Sequence, residues 1–275
     1  MTLFVSSVIL IVNHQTNQGL LNNSDNNHLN SNHSISKLEK QKNKPTKKIT
    51  NKQVNKKSTA QSKKIKKIVI TIDPGHQKRA NIAPEPVAPG SLETKYKATV
   101  GSMGIATRKP EYVITLEASK MLEKKLKKKG YQVVLTRTSN DVDLSNRDRA
   151  QIANKHKSSL FIRVHADGAE NSNAKGFSII APTRDNPYTK KVFKDSRKAS
   201  KTIIQEVGKS FRLYQNGVIY RVGLSGFNWS KVPVILIELG YVTNQEEDRN
   251  LSNKKYLEKL TASIAKGVDN YFHSF

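Results

Sequence analysis

The chain has 275 residues and a formal net charge of +26 at pH 7, and the charge and composition are unevenly distributed. Residues 1–67 hold thirteen lysines, no arginine and two acids, a net charge of +11. This stretch is rich in Asn, Lys, Ser and Gln, so it cannot bury enough apolar surface to offset its chain entropy. The absence of cysteine excludes a disulfide framework, a thiolate nucleophile and any Cys-ligated metal site. We therefore expect one folded domain over 68–275, preceded by a disordered tail.

The first twelve residues form an apolar run that is shorter than the roughly 20 residues a membrane-spanning helix needs. The length of segment 1–12 is typical of a signal-peptide core, although no Lys or Arg precedes it and no small-residue cleavage site follows it. We interpret it as a signal or anchor segment and residues 13–67 as a disordered linker. The lysine-rich part, 37–67, is either a solvated spacer or an electrostatic tether to an anionic polymer.

From residue 68 onward, apolar strands alternate with helical segments. The pattern predicts strands at 68–72, 131–136, 159–164, 177–181 and 232–237, and helices at 111–129, 146–157, 188–211 and 248–272. Continuous apolar strands separated by helices predict an α/β fold, with a twisted, mostly parallel sheet flanked by helices on both faces. The proline-rich stretch 77–110 is expected to be a long irregular excursion of the kind that often carries function.

Polar side chains that can bind a metal follow three of these strands. The first strand runs into Asp73-Pro-Gly-His76, the third is followed by His165, and the last by Glu238. Glu111 opens the first helix, where the helix dipole favours a negative charge. Ligands in open α/β sheets bind beyond the carboxyl ends of the strands. We therefore expect these four groups to meet at one edge of the sheet.

Each of these residues also has an ordinary structural interpretation. Glu111 alone is a common first-turn acid, and His76 alone is a common turn histidine. A buried carboxylate such as Glu238, however, is costly unless it is paired, neutral or metal-bound. Because all four groups are predicted to lie at the same edge of the sheet, a metal centre is favoured over four unrelated structural roles.

The folded region resembles the zinc-dependent N-acetylmuramoyl-L-alanine amidases of the amidase-3 type. These cell-wall hydrolases cut between the lactyl group of muramic acid and the first L-alanine of the peptidoglycan stem. The resemblance covers residues 68–272, and the ordered set of segments is more specific than any single one. The matching segments are Ile-Asp-Pro-Gly-His76, Lys109-Pro-Glu111, Gly130-Tyr-Gln-Val-Val-Leu-Thr-Arg137, Arg147-Asp-Arg-Ala-Gln-Ile-Ala-Asn154, Val164-His-Ala-Asp167 and Pro233-Val-Ile-Leu-Ile-Glu-Leu-Gly-Tyr-Val-Thr-Asn244.

The resemblance implies a six-stranded sheet, one zinc ion bound by His76, Glu111 and His165, and Glu238 as the catalytic carboxylate beside it. Such a zinc site keeps one position open for water, and an ionised carboxylate can accept the proton of that water.

The identity of the carboxylate ligand is less certain from spacing than that of the histidines. The gap between His76 and Glu111 is long and contains Glu93, which leaves Glu93 and, less readily, Glu117 as rival ligands. Glu111 is preferred because its Lys-Pro-Glu-Tyr setting matches a long-insertion branch of the family and because Glu117 lies within the helix.

Four further residues have two interpretations each. Asp73 and Asp167 either accept a hydrogen bond from a ligand histidine or simply form turns. Arg221 is a candidate for binding a substrate carboxylate, with a surface salt bridge as the alternative. Asn244 is a candidate substrate-binding residue, with helix capping as the alternative.

The function expected from these observations is hydrolysis of the muramoyl–L-alanine amide bond by zinc-activated water, in a secreted or membrane-anchored enzyme of the cell wall, an autolysin. Peptidoglycan is the expected partner, and anionic wall polymers are a second partner if the basic tail is a tether and not a spacer. Two other classes remain open on sequence grounds. A nucleic-acid-binding protein is suggested only by the positive charge, since the sequence has no recognisable nucleic-acid-binding motif. The second alternative is a catalytically inactive wall-binding protein that has the same fold.

Overall fold

The computed structural model describes residues 68–274, which contain eight strands and six helices. The predicted signal or anchor segment 1–12 and the predicted linker 13–67 lie outside the described residues. Within 68–274, no helix combines the length and the apolar character needed to cross a membrane. In chain order the elements are β1 (Val69–Pro74), β2 (Asn81–Pro86), β3 (Thr94–Ala98), α1 (Glu111–Lys128), β4 (Gln132–Leu135), α2 (Asn146–Lys155), β5 (Leu160–Asp167), β6 (Phe177–Pro182), α3 (Phe193–Val207), β7 (Leu213–Arg221), α4 (Ser225–Asn228), β8 (Val234–Tyr241), α5 (Gln245–Ser252) and α6 (Lys254–His273).

Six of the strands form one sheet in the order β4-β1-β5-β8-β6-β7. β1 pairs in parallel with β4 and β5, β5 with β8, and β6 with β7, whereas β6 and β8 are antiparallel. The prediction of a mostly parallel, six-stranded sheet is confirmed. Because β1, β5 and β8 are adjacent and parallel, their carboxyl ends lie side by side at one edge, which is where the predicted site residues occur.

Helices cover both faces of this sheet, as predicted. On β5, Leu160 packs in the apolar cluster formed with α1, α3 and α6, whereas Phe161 packs in the cluster formed with α2 and α4. Leu236 of β8 belongs to the same cluster as Phe161. Since side chains alternate along a strand, His165 and Glu238 lie on the α2 and α4 side of the sheet. The two residues therefore share one face.

Three parts of the described chain differ from the sequence prediction. The stretch 77–110 contains the antiparallel hairpin β2–β3, a separate two-stranded sheet whose free edges tolerate proline. The helix predicted over 188–211 is shorter, and it is followed by β7, a half-exposed edge strand with no continuous apolar run. The helix predicted over 248–272 is divided into α5 and α6 at Asn253, whose side chain caps α6.

Candidate metal centre and cleft

Three side chains from three different parts of the chain meet at the carboxyl edge of the sheet. His76 Nε2 lies 3.2 Å from Glu111 Oε1, His165 Nδ1 lies 3.3 Å from the same oxygen, and the two nitrogens are 3.1 Å apart. Ligand atoms arranged tetrahedrally around zinc at about 2.0–2.1 Å are separated by about 3.3 Å. The triangle therefore has the dimensions of one face of a tetrahedral site, and this cluster can hold a metal ion.

Of the three carboxylates considered from the sequence, Glu111 is the one that joins the histidines. Glu93 lies exposed on the loop between β2 and β3, 4.0 Å from Lys95. Glu117 lies further along α1 and pairs with Lys109 at 2.6 Å. The structure thus separates both rivals from the cluster.

His76 lies in a strained turn that its neighbours hold in place. Its φ of 61° is in the left-handed region, which is unfavourable for a residue with a Cβ. Arg149 Nη2 donates to the His76 carbonyl oxygen at 3.1 Å, and Thr115 Oγ1 donates to the Gly75 carbonyl oxygen at 2.8 Å. His76 Nδ1 lies 3.2 Å from the Thr99 carbonyl oxygen. Donation to that oxygen leaves the lone pair of Nε2 directed at the cluster.

Glu111 is fixed at the first residue of α1 by backbone donors. Its Oε2 accepts from the Ser102 amide at 2.8 Å, and its Oε1 accepts from the Ala166 amide at 3.1 Å. Burial would raise the pKa of Glu111, but the charges and hydrogen bonds of His76 and His165 outweigh it and hold the pKa well below its usual range. The side chain is therefore an oriented, ionised carboxylate at neutral pH.

Two glycines leave the space that these side chains occupy. A Cβ on Gly101, whose φ is +79°, would lie 2.5 Å from Glu111 Oε2 and 2.7 Å from the His76 ring. A Cβ on Gly75 would lie 2.6 Å from the His165 ring. Any larger residue at either position would displace a member of the cluster, so the backbone itself forms part of its enclosure.

His165 and Glu238 are direct neighbours across the parallel strands β5 and β8. Burial lowers the pKa of His165 to about 4, so its ring is neutral at pH 7, the form that binds metal. Burial raises the pKa of Glu238 well above its usual range, and the nearby carboxylates of Asp167 and Glu111 add to this shift. Glu238 Oε2 is buried and has no hydrogen-bond partner within residues 68–274. A carboxyl group with these properties is suited to proton transfer.

The cluster and Glu238 open into a cleft of about 620 Å³, a volume typical of small-ligand sites. The hairpin β2–β3 forms one wall, the segment from the end of β7 into α4 forms the other, and β5, β6 and β8 form the floor. The lining residues are His76, Pro84, Thr94, Lys95, Tyr96, Thr99, Asn146, Arg163, His165, Ile180, Arg221, Gly223, Leu224, Ser225, Leu236 and Glu238.

The two predicted substrate-binding residues have different positions. Arg221 lines the cleft, and its side chain forms no hydrogen bond or ion pair with any other part of the described chain, although its charge acts on Asp167 and Glu238. Asn244 is not among the lining residues. Its Oδ1 accepts from the backbone amides of Glu246 and Glu247 at the start of α5, and its Nδ2 donates to the Ser172 carbonyl oxygen. The structure thus brings Arg221 to the cleft and gives Asn244 the capping role.

The two aspartates considered as partners of a ligand histidine do not hydrogen-bond one. Asp73 is fully buried and accepts from Arg149 Nη1 at 2.8 Å and Arg163 Nε at 2.9 Å. Because Arg149 also holds the His76 carbonyl oxygen, Asp73 acts on the site through the backbone. The pKa of Asp167 is raised by burial and by the charge of Glu111.

Sequence reasoning missed Thr99, Gly101 and Arg163. Thr99 and Gly101 lie in the stretch predicted to be irregular, where no periodic pattern distinguishes one residue from the next. Arg163 had a usable signal, since a charged residue within an apolar strand must find a buried partner.

The chain is similar to one protein family and to individual members of it. The model of the N-acetylmuramoyl-L-alanine amidase family matches residues 70–270. N-acetylmuramoyl-L-alanine amidase AmiA of Escherichia coli (strain K12) is 26% identical over 246 residues, covering 76% of this chain and 78% of AmiA. The probable cell wall amidase LytH of Staphylococcus aureus is 28% identical over 204 residues, covering 74% of this chain and 58% of LytH.

Solved structures share the fold of the described residues. The N-acetylmuramyl-L-alanine amidase Ami1 from Mycobacterium smegmatis matches with a TM-score of 0.68 at 21% identity, over 76% of this chain and 98% of Ami1. The N-acetylmuramoyl-L-alanine amidase from Clostridium difficile 630 matches with a TM-score of 0.58 at 26% identity, over 76% of this chain and 98% of that protein. With the family model spanning nearly all of the described fold, this chain belongs to the N-acetylmuramoyl-L-alanine amidase family of the amidase-3 type.

Proposed function

We propose that this protein hydrolyses the amide bond between N-acetylmuramic acid and L-alanine in peptidoglycan, using one zinc ion held by His76, Glu111 and His165. The observation that carries the proposal is the triangle of ligand atoms, 3.1–3.3 Å on each side, with Glu238 directly across the strand pair from His165. Two imidazole nitrogens and one carboxylate oxygen are a donor set typical of catalytic zinc, and it leaves one position open. Membership of the amidase family supports the same reaction.

Zinc bound at this cluster would polarise the lactyl carbonyl group and lower the pKa of water toward about 7. Glu238 takes the proton of the attacking water on its free oxygen, Oε2. It then donates that proton to the L-alanine nitrogen as the C–N bond breaks. One water is consumed, and the products are a lactyl carboxylate and a free amine, so no covalent intermediate with the protein is needed.

We infer that the protein acts at the cell wall, because its proposed substrate is there and because a relative is named a cell wall amidase. In this scheme segment 1–12 directs secretion or anchors the chain in the membrane. Residues 68–275 form the catalytic domain, and the lysines of 37–67 attract anionic wall polymers.

The metal assignment predicts that substitution of two glutamates of α1 has different effects on zinc content. The purified protein should contain about one zinc per chain. Glu111→Gln should lose most of this zinc, because the neutral amide replaces a charged ligand, whereas Glu117→Gln should retain it. Elemental analysis by mass spectrometry measures both variants. Full zinc content in Glu111→Gln would remove this residue from the ligand set, and loss in Glu117→Gln would favour the rival.

The role of Glu238 predicts that metal binding and catalysis can be separated. Glu238→Gln keeps the shape of the side chain but cannot accept the proton, so zinc should remain while hydrolysis falls by about 10²- to 10⁴-fold. The measurement is the release of L-alanine amino groups from purified cell walls. Glu123→Gln, which removes a half-buried carboxylate of α1 that pairs with Lys127 and does not line the cleft, is the matched control and should retain full activity. Near-normal turnover by Glu238→Gln would assign the proton transfer to another group.

If the lysines of the tail attract anionic wall polymers, their contribution to wall binding should depend on salt. In the full chain, replacing the thirteen lysines of the tail by glutamine keeps its length and removes its charge. This variant should cleave a small soluble muramoyl-peptide at the wild-type rate but bind whole walls more weakly at low salt. The difference should shrink as the screening length falls from about 30 Å at 0.01 M to about 8 Å at 0.15 M salt. Equal wall binding by both proteins at low salt would make the tail only a spacer.

The same measurements test the domain boundary. A chain that begins near Lys66 should fold and cleave the soluble substrate, because every site residue follows Asp73. Failure of this shorter chain to fold would contradict the boundary at residue 68.

A further inference from the structure

Behind the cleft lies a buried cluster of three arginines and one carboxylate, which two of the arginines share. Arg149 and Arg163 both donate to Asp73, while Arg137 donates only to neutral oxygens, among them the Pro74 carbonyl oxygen. No other described carboxylate lies within 4.0 Å of these guanidinium groups. Burial and the like charge of Arg149 lower the pKa of Arg137 to about 10, so Arg137 remains charged at neutral pH. The cluster therefore holds more positive than negative groups, and the charge of Arg163 also acts on the buried carboxyl group of Glu238.

Arg163 is the member of this cluster that lines the cleft. Its Nε donates to Asp73 and its Nη2 donates to Asn146 Oδ1 at 2.8 Å, whereas its Nη1 has no hydrogen-bond partner within residues 68–274. A Cβ on Gly226 would collide with this guanidinium, so the absence of a side chain there makes its position available. A guanidinium fixed in this way loses little conformational freedom when it binds a carboxylate.

The distance of Arg163 from His165 along β5 indicates which part of a bound substrate Arg163 would contact. Arg163 precedes His165 by two residues on the same face of β5, a separation of about 6.6 Å along the strand. An extended peptide advances by about 3.3–3.6 Å per residue. Two such steps from a lactyl carbonyl group at the metal cluster lead to the second residue of the stem peptide, so Arg163 lies at the matching position along β5.

Two more cations stand on the walls beside Arg163. Arg221 lies on the β7 wall and forms no ion pair within the described residues. Lys95 lies on the hairpin wall, and its Nζ reaches the Gly223 carbonyl oxygen at 2.9 Å. Three cations thus converge on the part of the cleft next to the predicted reaction centre.

We propose that Arg163 and Arg221 form a carboxylate-binding subsite, through which the enzyme prefers stem peptides with a free α-carboxylate on the second residue. This inference rests on the proposed function, since it names the part of the substrate that the cleft recognises. Nη1 of Arg163 donates the directional hydrogen bond, and Arg221 adds charge from the β7 wall.

The test uses two synthetic N-acetylmuramoyl-peptides that are identical except for the second residue, which has a free α-carboxylate in one and a carboxamide in the other. The wild-type protein should cleave the carboxylate form with a kcat/KM about 10- to 100-fold higher, mainly through KM. Arg221→Gln and Arg163→Gln should each reduce this preference. Arg163→Lys should restore only part of it, because one ammonium group cannot hold Asp73 and Asn146 and still present a fixed free donor to the cleft. Arg197→Gln, on the exposed side of α3, is the control and should keep the full preference.

Binding provides a readout that does not depend on hydrolysis. The two corresponding free peptides, beginning at L-alanine, are titrated calorimetrically into the wild-type protein and into Arg221→Gln, whose exposed side chain can be removed without disturbing the buried cluster. The carboxylate peptide should bind about 10-fold more tightly to the wild type, and this advantage should decrease in the variant.

The outcomes separate the two proposals. Equal cleavage and equal binding of both peptides would overturn the subsite and leave the amidase function intact. Tighter binding of the carboxylate peptide without cleavage of either substrate would support the subsite and contradict the amidase function. A preference that survives both Arg163→Gln and Arg221→Gln, or inhibition by inorganic phosphate as strong as that by the carboxylate peptide, would also overturn the subsite.

Discussion

The site depends on one buried carboxylate, Asp73, at the end of β1. Its two arginine partners come from different elements, and each connects it to a different part of the site. Arg149, from α2, holds the carbonyl oxygen of His76 and so stabilises a backbone conformation that is unfavourable by itself. Arg163, from β5, lies two residues before His165 and lines the cleft. Removal of the Asp73 charge would leave both guanidinium groups buried without this counter-charge. The ion-pair network of Asp73 therefore holds both the His76 backbone and Arg163 in position.

Charge explains why the cluster of side chains is a site for a cation. Glu111, Asp167 and Glu238 lie close enough that the charge of Glu111 raises the pKa of the other two, in addition to the effect of burial. A divalent ion at the ligand triangle would offset this repulsion and favour the ionised form of Glu238. The same carboxyl group can then alternate between accepting and donating a proton, which amide hydrolysis requires. The geometry and the electrostatics thus lead to one chemical role.

The sequence predicted those features that depend on local pattern. Continuous apolar runs predicted the strands of the central sheet. The polar residues that follow these strands were predicted to lie at one edge, because the carboxyl ends of parallel strands lie together. Features that depend on distant contacts could not be predicted. Spacing alone did not decide between Glu111 and Glu93, because the path of 77–110 is set by the hairpin and its contacts. Neither interpretation of Asp73 included its arginine partners, because these lie about 80 residues away in the chain. β7 was missed because a half-exposed edge strand lacks a continuous apolar run.

The central claim is that His76, Glu111 and His165 together bind one zinc ion next to Glu238. The most direct test is X-ray diffraction from crystals of the zinc-replete protein, recorded at wavelengths on both sides of the zinc absorption edge. The account predicts one anomalous peak about 2.0–2.1 Å from the ligand atoms His76 Nε2, His165 Nδ1 and Glu111 Oε1. A cluster without anomalous density, or a peak bound by Glu93 or Glu117 in place of Glu111, would contradict it.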